Sequence, residues 1–189
     1  MMIANRLVFF IATLVTFYAC NSYPSTIKKK QPLVIKRVAY MSLLIGIDYV
    51  LSGLIFSWLR NNGGHYGNQV VTDLVSVAII SLLVTCLSFF APGNKIYLTN
   101  ELKKNMVFIS LLLSLATFSL FSTEAFIKEL LVFSGMYVVF TICFAGIKDR
   151  MQIAPIPNFI KGLPLDLLTL FLILLSFSFL NGVFFDQLF

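Results

Sequence analysis

The sequence predicts an all-α polytopic membrane protein of six transmembrane helices. Three observations carry this. Hydrophobic residues make up 59% of the 189 positions and charged residues 12%, against roughly a quarter charged in ordinary globular domains. Phenylalanine occurs 20 times, more large apolar side chain than a soluble core of this length can hide, whereas lipid accepts it from outside. The 14 lysines and arginines fall in gaps between apolar runs or near their ends.

The spans are expected at about 4–20, 38–58, 70–91, 106–122, 126–147 and 166–186 of one membrane domain covering 1–189. The first, about 4–20, contains Arg6 and ends at Cys20. Its Ala19-Cys20 faintly resembles a signal peptide with a lipid-modified cysteine, but Phe17 and Tyr18 suit such a cleavage site poorly, so a retained helix is expected. The second holds Asp48 at its middle and ends at Trp58. The third begins near Asp73, and the fourth, like the first, is only 17 residues long. Short spans at matching positions of two halves point to a 3+3 inverted repeat with short or broken helices one and four; two tilted helices are the alternative. The fifth ends at Lys148-Asp149-Arg150. Pro155, Pro157, Gly162 and Pro164 keep the next connection non-helical, because proline lacks a helix donor and biases its predecessor to extended geometry. Leu165–Phe185 then supplies about 20 mostly apolar residues, enough to cross a core of about 30 Å.

Odd-numbered connections carry eleven basic residues and the opposite side three, which places the odd connections in the cytoplasm and both termini outside it. Nothing in this placement resembles a basic-aromatic platform for nucleic acid. The cysteines at 20, 86 and 143 have no CxxC spacing, and no disulfide framework or zinc site is expected. His65 lies in a loop rich in glycine and asparagine and has no catalytic company. Asp48 is the main candidate for chemistry. A carboxylate at the bilayer centre costs about 2.5–3.5 kcal/mol on insertion scales, so it needs a partner, water or a proton. It is read as an ion-pathway residue, with Asp73 as the second candidate; a hydrogen-bonded packing role is the alternative. Gly46, Gly53 and Gly135 are expected to let helices approach closely.

The run F-A-G-I-K-D-R-M-Q-I-A-P-I-P-N-F-I-K-G-L-P-L-D-L-L resembles the corresponding loop of the Rnf/Nqr integral membrane subunits (RnfA/NqrE and RnfE/NqrD), which have a basic exit, a P-x-x-F-x-G loop and a final apolar helix. The likeness is good over 131–183 and passable at Cys20–Trp58. It implies a bacterial inner-membrane subunit of an ion-translocating electron-transport complex. It also implies partners: a sister six-helix subunit, and flavin- and nucleotide-binding subunits. The resemblance further implies a [2Fe-2S] cluster shared with the sister subunit, to which Cys20 would be the cofactor and metal ligand. The second family cysteine, expected within Met106–Ser122, is absent. A small secondary transporter or channel using Asp48 as its coupling site is the alternative.

Overall fold

The computed structural model describes residues 2–21, 32–62, 69–90, 100–118, 126–151 and 162–180. Among them lie six helices and no strand: α1 Met2–Asn21, α2 Pro32–Asn62, α3 Gln69–Ser88, α4 Asn100–Thr117, α5 Phe126–Met151 and α6 Leu163–Leu180. Two of them, over Ile35–Arg60 and Phe126–Met151, are long and apolar enough to cross a membrane. His65, Lys28, Lys29, Lys30, Lys95, and the proline loop up to Lys161 lie outside the described residues.

The helices begin and end for local reasons. Proline suits the start of α2, where its missing N–H would have no helical partner. Two basic residues, Lys148 and Arg150, occupy the last turn of α5, where the helix dipole favours positive charge. The fourth helix starts six residues before the expected span, on Asn100, and stops at Thr117 instead of reaching 122. Phe118 closes it by donating its N–H to the Ser114 carbonyl.

The chain falls into two compact units, Met1–Ile142 and Cys143–Phe189, with the division inside α5. In the first unit α4 packs against α1, α2 and α3, while α2 packs against α1 and α3. The N-terminal part of α5 lies on α2 at two glycines. A Cβ on Gly46 would come within 2.9 Å of Val138 Cγ2 and 3.0 Å of Ser134 Oγ. A Cβ on Gly53 would overlap the Leu130 side chain and press on Phe118. Gly135 has open space around it, so the expectation of close approach holds at two positions and fails at the third. An aromatic cluster seals this level: the Tyr49 ring lies 5.1 Å from Phe118 and 5.4 Å from Phe133, and Phe118 lies 5.8 Å from both Phe56 and Phe126.

Polarity is distributed inside-out. On α2 the exposed stripe is Leu43, Ile47, Leu51, Leu54 and Trp58, whereas Ser42, Asp48 and Ser52 are buried. The same holds on α3, where Leu83 and Leu87 are exposed and Ser81 and Thr85 are buried.

In the second unit Lys148, in the last turn of α5, pairs with Asp166, in the first turn of α6. Gly162 stands just before α6 at φ 100°, a backbone conformation open to glycine, and the Asp166 N–H donates to its carbonyl. Thr169 donates to the Asp166 carbonyl, which anchors the same turn.

Two stability predictions follow from these contacts. Gly53→Ala is expected to lower stability by about 1–3 kcal/mol, because buried Leu130 has nowhere to move. Gly135→Ala is expected to leave stability unchanged or raise it by about 0.5–1 kcal/mol through helix propensity; thermal unfolding in detergent reads both. The ion pair is lopsided, since Lys148 is 16% exposed and Asp166 2%. Lys148→Met, which strands a buried carboxylate, is therefore expected to cost about 3 kcal/mol, and more than Asp166→Asn, which leaves a lysine able to reach water. Equal losses in the two variants would contradict this asymmetry.

Candidate functional site

Asp48 is 1% exposed, within the buried face that also carries Ile45, Tyr49 and Ser52. The Ser88 hydroxyl on α3 lies beside its carboxyl group and also donates to the Thr85 carbonyl at 2.9 Å, so its single hydrogen is shared, while Oδ2 has no partner among the described residues. Ser52 donates to the main-chain carbonyls of Asp48 and Tyr49, at 2.8 and 3.0 Å, and so does not serve the carboxyl group. The acid is therefore half satisfied, by a neutral hydroxyl. An isolated carboxylate is costly in such surroundings, and a carboxyl group with one free oxygen can exchange a proton or meet a small cation.

The next residue sets the register of the helices around it. Tyr49 Oη lies 2.7 Å from Thr117 Oγ1 on α4. Thr117 already gives its hydroxyl hydrogen to the Leu113 carbonyl at 2.7 Å, so the phenol is the donor. A second pair repeats this arrangement. Thr16 on α1 gives its hydrogen to the Ala12 carbonyl at 2.6 Å, and Tyr137 on α5 donates to Thr16 at 2.8 Å. The bonding is reciprocal: α2 reaches α4, and α5 reaches α1.

The sequence around the two threonines repeats as well. Ile11-Ala12-Thr13-Leu14-Val15-Thr16-Phe17 aligns with Leu112-Leu113-Ser114-Leu115-Ala116-Thr117-Phe118, sharing a leucine, a threonine and a phenylalanine, with Thr13 opposite Ser114. Gly46 and Ser134 each stand three residues before their tyrosine. They meet each other, Ser134 donating to the Gly46 carbonyl at 3.0 Å. The same register sets Asp48 opposite Met136, so the acid has no counterpart. Sequence reading passed over these hydroxyls and phenols. The signal that could have found them was the repeated L-x-T-F, too short to stand out among apolar residues.

The other expected residues are placed separately. Asp73 lies half-buried near the start of α3, 15 residues before Ser88 and hence about 22 Å from it along the helix. It is not part of the Asp48 site. Cys20 is fully buried on α1, its thiol donating to Met41 Sδ at 3.5 Å. Cys86 and Cys143 are exposed. Among the described residues no three His, Cys, Asp or Glu side chains gather as a metal-binding group. The chain thus offers one buried thiol to a cluster that needs four ligands, and the remaining three would have to come from outside it. Asp166, unremarked in the sequence, is the second buried acid, and Lys148 occupies it.

Tyr49→Phe and Tyr137→Phe are each expected to cost about 0.5–1.5 kcal/mol, the net worth of a typical intramolecular hydrogen bond. Double-mutant cycles of Tyr49 with Thr117 and of Tyr137 with Thr16 should give coupling energies of similar size. A coupling near zero in either cycle would remove that bond from the account.

No family model, no curated protein and no solved structure matches this chain.

Proposed function

We propose that this chain is a six-span integral membrane subunit of an Rnf/Nqr-like ion-translocating electron-transport complex, and that its contribution is the ion path through Asp48. The observation that carries the reading is the inside-out distribution of polarity. A buried carboxyl group with a free oxygen sits among buried hydroxyls, beneath helix faces made of leucine, isoleucine and tryptophan. An intramembrane acid facing the bundle interior is a functional-site candidate by default. The resemblance over 131–183 supplies the family. On that reading the odd connections face the cytoplasm of a bacterial cell, both termini lie outside, and the two halves joined by the reciprocal Tyr–Thr bonds are an inverted repeat. Asp73, toward the opposite end of α3 from Ser88, stands at the entrance of the path. Partners are a sister six-helix subunit and flavin- and nucleotide-binding subunits.

Cys20 is the residue through which this chain would share a [2Fe-2S] cluster. A single thiol makes that contribution partial, so no electron-transfer step is assigned to it. The same single thiol, beside a well-built acid site, favours a second reading: a small secondary transporter in which Asp48 couples substrate to an ion.

Purification from the native membrane in mild detergent separates the two. Recovery with a sister subunit and flavin-bearing partners supports the complex, whereas recovery alone or as a homodimer without flavin or iron supports the transporter. In either setting Asp48→Asn is expected to reduce ion-coupled activity about tenfold or more, with Asp73→Asn milder. Full ion-coupled activity in Asp48→Asn would sink both readings.

A further inference from the structure

A serine or threonine in a helix always has a carbonyl three or four residues back within reach, and in apolar surroundings it normally takes it. Thr16, Ser42, Ser52, Ser81, Thr85, Thr117 and Thr141 all do so here. Thr13, Ser110 and Ser114 do not. Their hydroxyls are wholly buried, and they have no partner among the described residues. Thr13 lies on α1 and the two serines on α4, helices that pack against each other. Thr13 and Ser114 are also the repeat-related pair, each three residues before its phenol-bonded threonine. Asp48 Oδ2 is a further buried side-chain atom without a partner among the described residues. Tyr49, the residue after Asp48, is bonded to Thr117, which stands three residues after Ser114 on α4.

We propose that bound water occupies the α1–α4 interface, in contact with the hydroxyls of Thr13, Ser110 and Ser114, and extends to Asp48 Oδ2. The ligand is water and not a metal cation, because the hydroxyls bring no countercharge and a bare ion would lose its hydration shell. A buried water typically makes about three hydrogen bonds to polar groups that lack other partners, and each of these atoms can offer one. Each hydroxyl can accept a proton from one water while passing its own hydrogen to the next. A carboxylate at Asp48 would thus take a proton from its neighbouring water, each donor being restored by the next along the row, with the net proton supplied by a hydronium ion of the solvent at the far end. This deepens the reading of Asp48 as an ion-path residue and rests on it.

Water-edited solid-state NMR of the full-length protein in lipid bilayers tests the proposal without any activity assay. Magnetisation from water should reach the Cβ atoms of Thr13, Ser110 and Ser114 and the Cγ of Asp48 severalfold faster than Cβ of Thr85, which is tied to carbonyls. In Thr13→Val/Ser114→Ala the transfer to Asp48 Cγ should slow severalfold. Transfer to the three hydroxyl carbons or to Asp48 as slow as that to Thr85 would overturn the proposal, as would an unchanged Asp48 rate in the double variant. Asp48→Asn with full activity would defeat the ion-path reading while leaving the water signals in place, so the two failures are distinguishable.

Discussion

Everything in the first unit depends on how buried hydroxyl groups are satisfied. The two phenol-to-threonine bonds answer this with one rule applied twice. A helical threonine turns its hydrogen onto its own carbonyl, which frees its lone pairs for a tyrosine from another helix. Each bond joins residues far apart in sequence, 68 positions in one case and 121 in the other. Two such pins fix both the rotation and the height of four helices relative to one another. The glycine contacts then follow, since Gly46 and Gly53 lie within one turn of Tyr49 and must admit the helix that the pins bring close.

The pins also explain why the acid can be tolerated. Tyr49 is committed to Thr117, so Asp48, one residue away, faces a different neighbour and receives Ser88 from α3. Ser52, which could have reached the carboxyl group, is held by main-chain carbonyls. The surroundings supply one hydrogen bond to the acid and withhold a second. That incomplete satisfaction distinguishes this site from Asp166, whose carboxylate is closed by Lys148.

Much of this was legible in the sequence, and what was not has a physical reason. Apolar runs located the helices, because their length and composition depend only on local residues. Asp48 stood out for the same reason: one carboxyl group within long apolar flanks is visible without a partner. The ends of α4 were misplaced because hydropathy does not register the polar opening turn around Asn100, nor the stop at Phe118. Gly135 looked like Gly46 because spacing cannot tell which face of a helix meets a neighbour. Lys148 read as a membrane exit and Asp166 drew no reading, since their pairing joins residues 18 positions apart that no local composition links. The Thr–Tyr pairs were invisible for the same reason, although the doubled L-x-T-F was there to be seen.

The register that matches Tyr49 with Tyr137 leaves Asp48 opposite a methionine. On the proposed reading of the chain as a membrane-spanning inverted repeat, two halves built on one plan would present equal faces to the two sides of a bilayer and give no sense of direction. A single acid breaks that equivalence at one point, inside a frame that otherwise keeps it. Vectorial behaviour in this molecule would then trace to one unmatched side chain, and moving the acid to position 136 would be the most economical way to reverse its sense.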